Sequence, residues 1–159
     1  MRIYGPCLAL FGTVLLVSPT LAETQSADSA YKAAFDAQKY GEYDAAAPLY
    51  QQACTGNIAK GCQHLGDLYD HGLGVTKDEV RATGLYQQAC TGGDPWGCYR
   101  LGDHYRDGRG VAKNTEQTLR LYLRALALNP DTILIAQVRS QIDRLSTAPR
   151  RHKRATSRT

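Results

Sequence analysis

Cys62, Leu65, Gly66 and Tyr69 stand at i, i+3, i+4 and i+7, the spacing of one helix face, and Cys98, Leu101, Gly102 and Tyr105 reproduce it further along. The small Gly66 lets a neighbouring helix come close. Gly72 and Gly74 then end that helix, since glycine readily takes the left-handed conformation of a C-cap. Asp78 and Asn114 lie just before the next apolar runs, where their side chains can accept from free backbone N–H groups. The predicted unit is helix, turn, helix. Pro48 falls inside the helix expected after Tyr43, at small cost in the first turns and with a kink beyond them. Ser29 reads as the start of the first helix. The Gly-x-Gly pair lacks a third glycine and closes a helix instead of opening one, so it does not read as a phosphate-binding turn.

Displacing the chain by 36 positions lays Leu49-Tyr-Gln-Gln-Ala-Cys-Thr-Gly56 on Leu85-Tyr-Gln-Gln-Ala-Cys-Thr-Gly92 with every residue identical. The same displacement superposes Gly61, Cys62, Leu65, Gly66, Asp67, Tyr69, Gly72, Gly74 and Val75 on their counterparts from Gly97 to Val111. Gly41, Tyr43, Ala46, Tyr50 and Ala53 fill a related pattern upstream, and Leu121, Tyr122 and Ala125 continue it to Pro130. A period in the mid-thirties marks a stacked helical array, here of about three and a half units. In Leu65-Gly-Asp-Leu-Tyr69, Gly72-x-Gly-Val75, Lys77-Asp78, Ala82 and Leu85-Tyr86-x-x-Ala89 the sequence resembles the Sel1-like repeat, a relative of the tetratricopeptide repeat. The resemblance extends from about Ala30 to Arg144. It implies an all-α fold, a right-handed α-solenoid of stacked antiparallel helix pairs.

With 159 residues, 43% hydrophobic and 21% charged, the chain suits one globular domain. Its net charge of +4 misleads, because Arg150, Arg151, Lys153, Arg154 and Arg158 crowd the last ten positions. Residues 23–149 hold 13 basic against 15 acidic side chains, so the body gives no support for a nucleic-acid surface. Arg2 followed by the eleven apolar or small residues Cys7–Val17 and then Ser18-Pro-Thr-Leu-Ala22 reads as a secretory signal cut after Ala22, too short to span a bilayer. The expected organisation is a signal at 1–22, a repeat domain at 23–148 and a basic tail at 149–159, in a periplasmic or secreted monomer. The tail either solubilises the protein or makes weak contact with an anionic envelope surface.

Four cysteines remain after cleavage, as two pairs of equal spacing: Cys54 with Cys62, and Cys90 with Cys98. Each pair bridges the end of one helix and the first turn of the next. Of three possible connectivities, pairing within each unit preserves the repeat, and an exported chain with an even count favours oxidation. Leu126 and Leu134 replace the pair together in the third unit. A four-thiolate metal site would use shorter spacings within each pair. This arrangement resembles the cysteine-rich secreted subset of Sel1-like proteins, the Helicobacter cysteine-rich family. Members of it are described as penicillin-binding or as β-lactamases, which implies an enzyme acting on β-lactams as the alternative function.

The residues argue otherwise. Ser29-Ala-Tyr-Lys32 matches the Ser-x-x-Lys of serine β-lactamases, but no Ser-Asp-Asn or Lys-Thr-Gly element accompanies it. His64, His71 and His104 have Arg100, Asp107 and Leu68 as repeat-mates, so no histidine site recurs; His64 and His71 read as surface residues. Neither a metal nor a cofactor is expected. Stacked helix pairs line an inner groove with the first helix of each unit. Gln63, Asp67 and Asp70, and likewise Tyr99, Asp103 and Arg106, follow i, i+4, i+7 beside the core face. Tyr31, Phe35 and Gln38 take these positions in the first unit, with Trp96 at the lip. Aromatic and arginine side chains are the usual interface anchors. The expected partner is a protein or extended peptide with apolar and basic side chains, held in the concave groove.

Overall fold

A computed structural model describes residues 19–147. Within them the chain forms seven helices and no strand: α1 (Pro19–Lys39), α2 (Tyr43–Thr55), α3 (Ala59–His71), α4 (Glu79–Thr91), α5 (Pro95–Asp107), α6 (Thr115–Ala127) and α7 (Thr132–Thr147). Each packs on its neighbours in sequence, most extensively as α1 with α2, α3 with α4 and α5 with α6, while α7 rests more sparsely on α6. Among the described residues three helix pairs and α7 make the three and a half units of an α-solenoid. The apolar run at Cys7–Val17 and the basic tail lie outside the described residues.

The turns follow from their residues. Gly72 and Gly108 cap α3 and α5 at φ 69° and 76°. Gly74 and Gly110 also have positive φ, and a Cβ on either would overlap backbone of the preceding unit: the Tyr43–Asp44 peptide under Gly74, the Glu79–Val80 peptide under Gly110. The second glycine of each pair therefore lets one unit's turn sit on the start of the second helix of the unit before it. Asp78 and Asn114 accept from the N–H of Arg81 and Gln117 at 2.9 and 3.0 Å, capping α4 and α6.

The core repeats every 36 residues. Tyr50, Tyr86 and Tyr122 are fully buried. A Cβ on Gly66 would lie 2.7 Å from the Tyr86 ring, and one on Gly102 the same distance from Tyr122, so these glycines provide the seats for the rings. Each buried hydroxyl donates to an acceptor on the first helix of its own unit: Gln38 Oε1 at 2.6 Å, Asp67 Oδ1 at 2.7 Å and Asp103 Oδ1 at 2.5 Å. Disulfides Cys54–Cys62 and Cys90–Cys98 close the α2–α3 and α4–α5 corners with Cα separations of 4.6 and 4.4 Å. Leu134, fully buried, and the partly buried Leu126 occupy the equivalent place in the third unit.

Two expectations change, at Ser29 and His64, and the position of Pro48 within its helix becomes defined. Ser29 does not start a helix; it lies inside α1, its hydroxyl donating to the Ser26 carbonyl. The helix extends further back because Ala27, Ala30 and Ala34 share a buried face, with Ala27 seated against Gly56. Pro48 is the sixth residue of α2, past the first turn, so the Asp44 carbonyl lacks the N–H that would bond it. His64 is only partly exposed, because the rings of Tyr31, Phe35 and Tyr50 pack about it.

Candidate partner-binding cleft

Tyr31 of α1, Lys60, Gln63 and His64 of α3, and Asp94 and Trp96 at the start of α5 line a cleft of about 330 Å³. The first helices of three successive units thus contribute to one hollow. Tyr31, Gln63 and Trp96 are the expected groove residues that meet there. Phe35 lies at its margin, 48% exposed, with its ring 6.3 Å from that of Tyr31.

The remaining expected residues are held by internal partners. Gln38 takes the Tyr50 hydroxyl. Asp67 accepts from Tyr86 and from Gln63 Nε2, with Arg100 Nε 3.4 Å away. Helical spacing puts Asp70 and Asp103 on the groove; the structure turns both inward, each only 6% exposed. Asp70 meets Arg109 Nη1 at 2.6 Å and the fully buried His104 at 3.4 Å. Asp103 holds Tyr122 and, at 2.6 Å, Arg106 Nη1. Arg106 also reaches Asp107, Tyr122 and Gln141, tying α5 to α6 and α7. Tyr99 is buried, stacked on Tyr122 at 5.6 Å with Trp96 edge-on at 6.0 Å. Most of the polar groups next to the core therefore join helices to one another.

Sequence reasoning missed Lys60, His64 and Asp94. His64 stacks on Tyr50 at 5.1 Å, its Nε2 lies 3.4 Å from the Tyr31 hydroxyl, and its Nδ1 is buried with no protein partner. Burial lowers its pKa, against the pull of Asp67, so the ring is neutral at neutral pH. Asp94 is 4% exposed and caps α5, accepting from Gly97 N–H at 2.6 Å through Oδ2. Burial raises its pKa, and the Gly97 bond and nearby Lys60 oppose the rise. Trp96 is fixed from below by its Nε1–H, which donates to Asp131 Oδ2 at 3.1 Å. A signal for these residues was present in the repeat: Lys60 faces Trp96 at the 36-residue offset, His64 faces Arg100, and Asp94 faces Ile58. The cleft is built where two near-copies differ.

Aromatic walls, one exposed ammonium, one buried carboxylate and an amide suit recognition of a mixed apolar and polar chain. Among the described residues no group of three or more His, Cys, Asp or Glu side chains is disposed to hold a metal. No helix among them is long and apolar enough to cross a membrane. Ser29 of the Ser-x-x-Lys match is exposed on α1, bonded to its own helix.

The family model for the Sel1 repeat matches residues 59–94 and 97–130. Among proteins of curated function none matches the sequence. Three solved structures are similar. One is c5321, a protective antigen present in uropathogenic Escherichia coli strains displaying an SLR fold, at 23% identity and TM-score 0.65. That match covers 77% of this chain and 27% of the antigen, so the chain spans about a quarter of that protein's length. A Sel1 repeat protein from Oxalobacter formigenes matches at 24% identity and TM-score 0.61, over 77% of this chain and 98% of that one. Helicobacter pylori cysteine rich protein B matches at 26% identity and TM-score 0.55, over 72% and 96%. The first two likenesses bear on fold alone. With the family model lying on α3 to α6 and the same helical stacking in all three structures, the chain carries Sel1 repeats in a solenoid of the Sel1 kind.

Proposed function

We propose that this protein is an exported Sel1-repeat scaffold that binds a protein or extended peptide along its concave face and carries out no chemistry. Sel1 repeats serve in general as scaffolds for contact between proteins. The observation that carries the reading is the convergence of Tyr31, Gln63, His64 and Trp96, from three successive first helices, on one cleft. Rings held by Asp131 and by mutual stacking lose little freedom when a partner docks, which favours affinity. Two disulfides accord with an oxidising compartment, reached by removal of residues 1–22. A monomer with a peptide in its groove is the simplest assembly.

The test is site-specific photo-crosslinking in cells. A crosslinker at Tyr31 or at Trp96 should capture the same protein, and one at the exposed Val80 or Leu123 of the second helices should not. Equal capture from all four positions would defeat the proposal. Mass spectrometry of the exported chain should find Glu23 at its N-terminus.

A further inference from the structure

The two disulfides are repeat-mates in unlike surroundings. Cys90 and Cys98 have no exposed surface, whereas Cys54 keeps 7% and Cys62 4%. Cys54 and Cys62 also border a hollow of about 360 Å³, together with Gln87, Gln88, Thr91 and Gly92 of the α4 end. Their sulfurs face it: Gln88 Oε1 lies 3.3 Å from Cys54 Sγ and 3.9 Å from Cys62 Sγ.

The difference arises one repeat later. At the 36-residue offset Gln88 becomes Arg124 and Gly92 becomes Leu128. Arg124 Nη2–H donates to the Cys90 carbonyl at 3.1 Å. Leu128 packs against the cluster that contains Cys90 and Cys98, together with Leu126 and Leu134. Gly92 and Gln88 border a hollow beside the first bond; one repeat on, Leu128 packs on the cluster that holds the second and Arg124 binds the Cys90 carbonyl.

Thiol–disulfide exchange requires a thiolate to reach a sulfur, so access decides which bond reacts in the folded chain. We propose that Cys54–Cys62 is a site of thiol–disulfide exchange with a dithiol reductant, and that Cys90–Cys98 is closed to it. One thiolate of the dithiol attacks a sulfur of the bond, forming a mixed disulfide and expelling the other cysteine as thiolate. The second thiol of the dithiol, as thiolate, then attacks the mixed disulfide and releases the first cysteine. The dithiol leaves oxidised by two electrons, and both cysteine thiolates take up protons from water. Reduction unties the end of α2 from the first turn of α3, the helix that carries Lys60, Gln63 and His64 into the cleft.

The experiment treats the folded, exported protein with dithiothreitol without denaturant. Samples are quenched in N-ethylmaleimide over time, and the labelled cysteines are mapped by peptide mass. Cys54 and Cys62 should be labelled more than about tenfold faster than Cys90 and Cys98. Equal rates, which reduction through global unfolding would produce, or earlier labelling of Cys90 and Cys98, would overturn the proposal. Two variants test the cause. Gln88→Arg should slow labelling of Cys54 and Cys62, and Leu128→Gly with Arg124→Gln should bring Cys90 and Cys98 toward the rate of the first pair. If neither rate moves while circular dichroism shows both variants folded, the cover over the sulfurs does not control the reaction and the assignment fails.

Discussion

Asp70 is the residue whose environment departs furthest from what helical spacing implies. Burial works against its ionisation, yet the His104 imidazole and the Arg109 guanidinium outweigh it and hold the carboxyl down from 3.8 to about 2. The unfolded chain takes up this proton near pH 4 and the folded chain resists to about pH 2. Stability from the pair is therefore whole above pH 4 and drains away as pH falls through that window. Asp70→Asn should lower the unfolding free energy at pH 7 by about 3 kcal/mol, since it leaves Arg109 and His104 facing a neutral group in a buried site. It should also flatten the acid limb of a urea-midpoint titration between pH 4 and 2. An unchanged acid limb would remove Asp70 from that role. Tyr86→Phe is a milder probe. Removing the hydroxyl that Asp67 accepts should cost about 1–2 kcal/mol in denaturant unfolding.

The helix ends at Gly72, Asp78, Asp94, Gly108 and Asn114 rest on identifiable chemistry, so these boundaries can be moved by single changes. Asp78→Ala removes the cap of α4 and should cost about 1 kcal/mol. Gly74→Ala meets two obstacles together, a φ of 65° and a Cβ that would overlap the Tyr43–Asp44 peptide. A loss of about 2–3 kcal/mol is expected, larger than for Asp78→Ala, because the backbone of another unit has to shift. Thermal melts of the two variants side by side check the order; a smaller effect at Gly74 would mean that the turn does not join the units. The same logic places Leu134 and Val138 of the last helix. They are fully buried against the third unit while Ile133 stays exposed.

At the scale of the whole molecule the solenoid has no single centre. One core cluster spans the first two units and another the second and third, with Tyr69 packed against both. Contacts are nearest-neighbour, so each disulfide braces one corner and the two effects should add. In the chain-entropy description a bridge across so short a loop contributes about 2.5 kcal/mol. The serine double variant at Cys90 and Cys98 should therefore lower stability by about that amount by urea denaturation, and leave the corner at Cys54 and Cys62 oxidised. Free thiols at Cys54 and Cys62 in that variant would show that the corners are not independent.

Much of this was legible in the sequence, for a physical reason. Helical periodicity, left-handed glycines, capping side chains and the equal cysteine spacings all act within a few residues, and a 36-residue repeat shows them twice. The helix pairs, the caps at Asp78 and Asn114, the seats at Gly66 and Gly102 and both sulfur bridges follow from such local rules. The cleft does not. Lys60, His64 and Asp94 meet Tyr31 only because successive units stack, and the inward turn of Asp70 depends on His104 and Arg109 from the unit after it. Interactions across a stacking interface leave no short-range mark, except where a position departs from its repeat-mate. That exception also separates the two disulfides: their own residues are alike, and the side chains one unit further on decide which is covered.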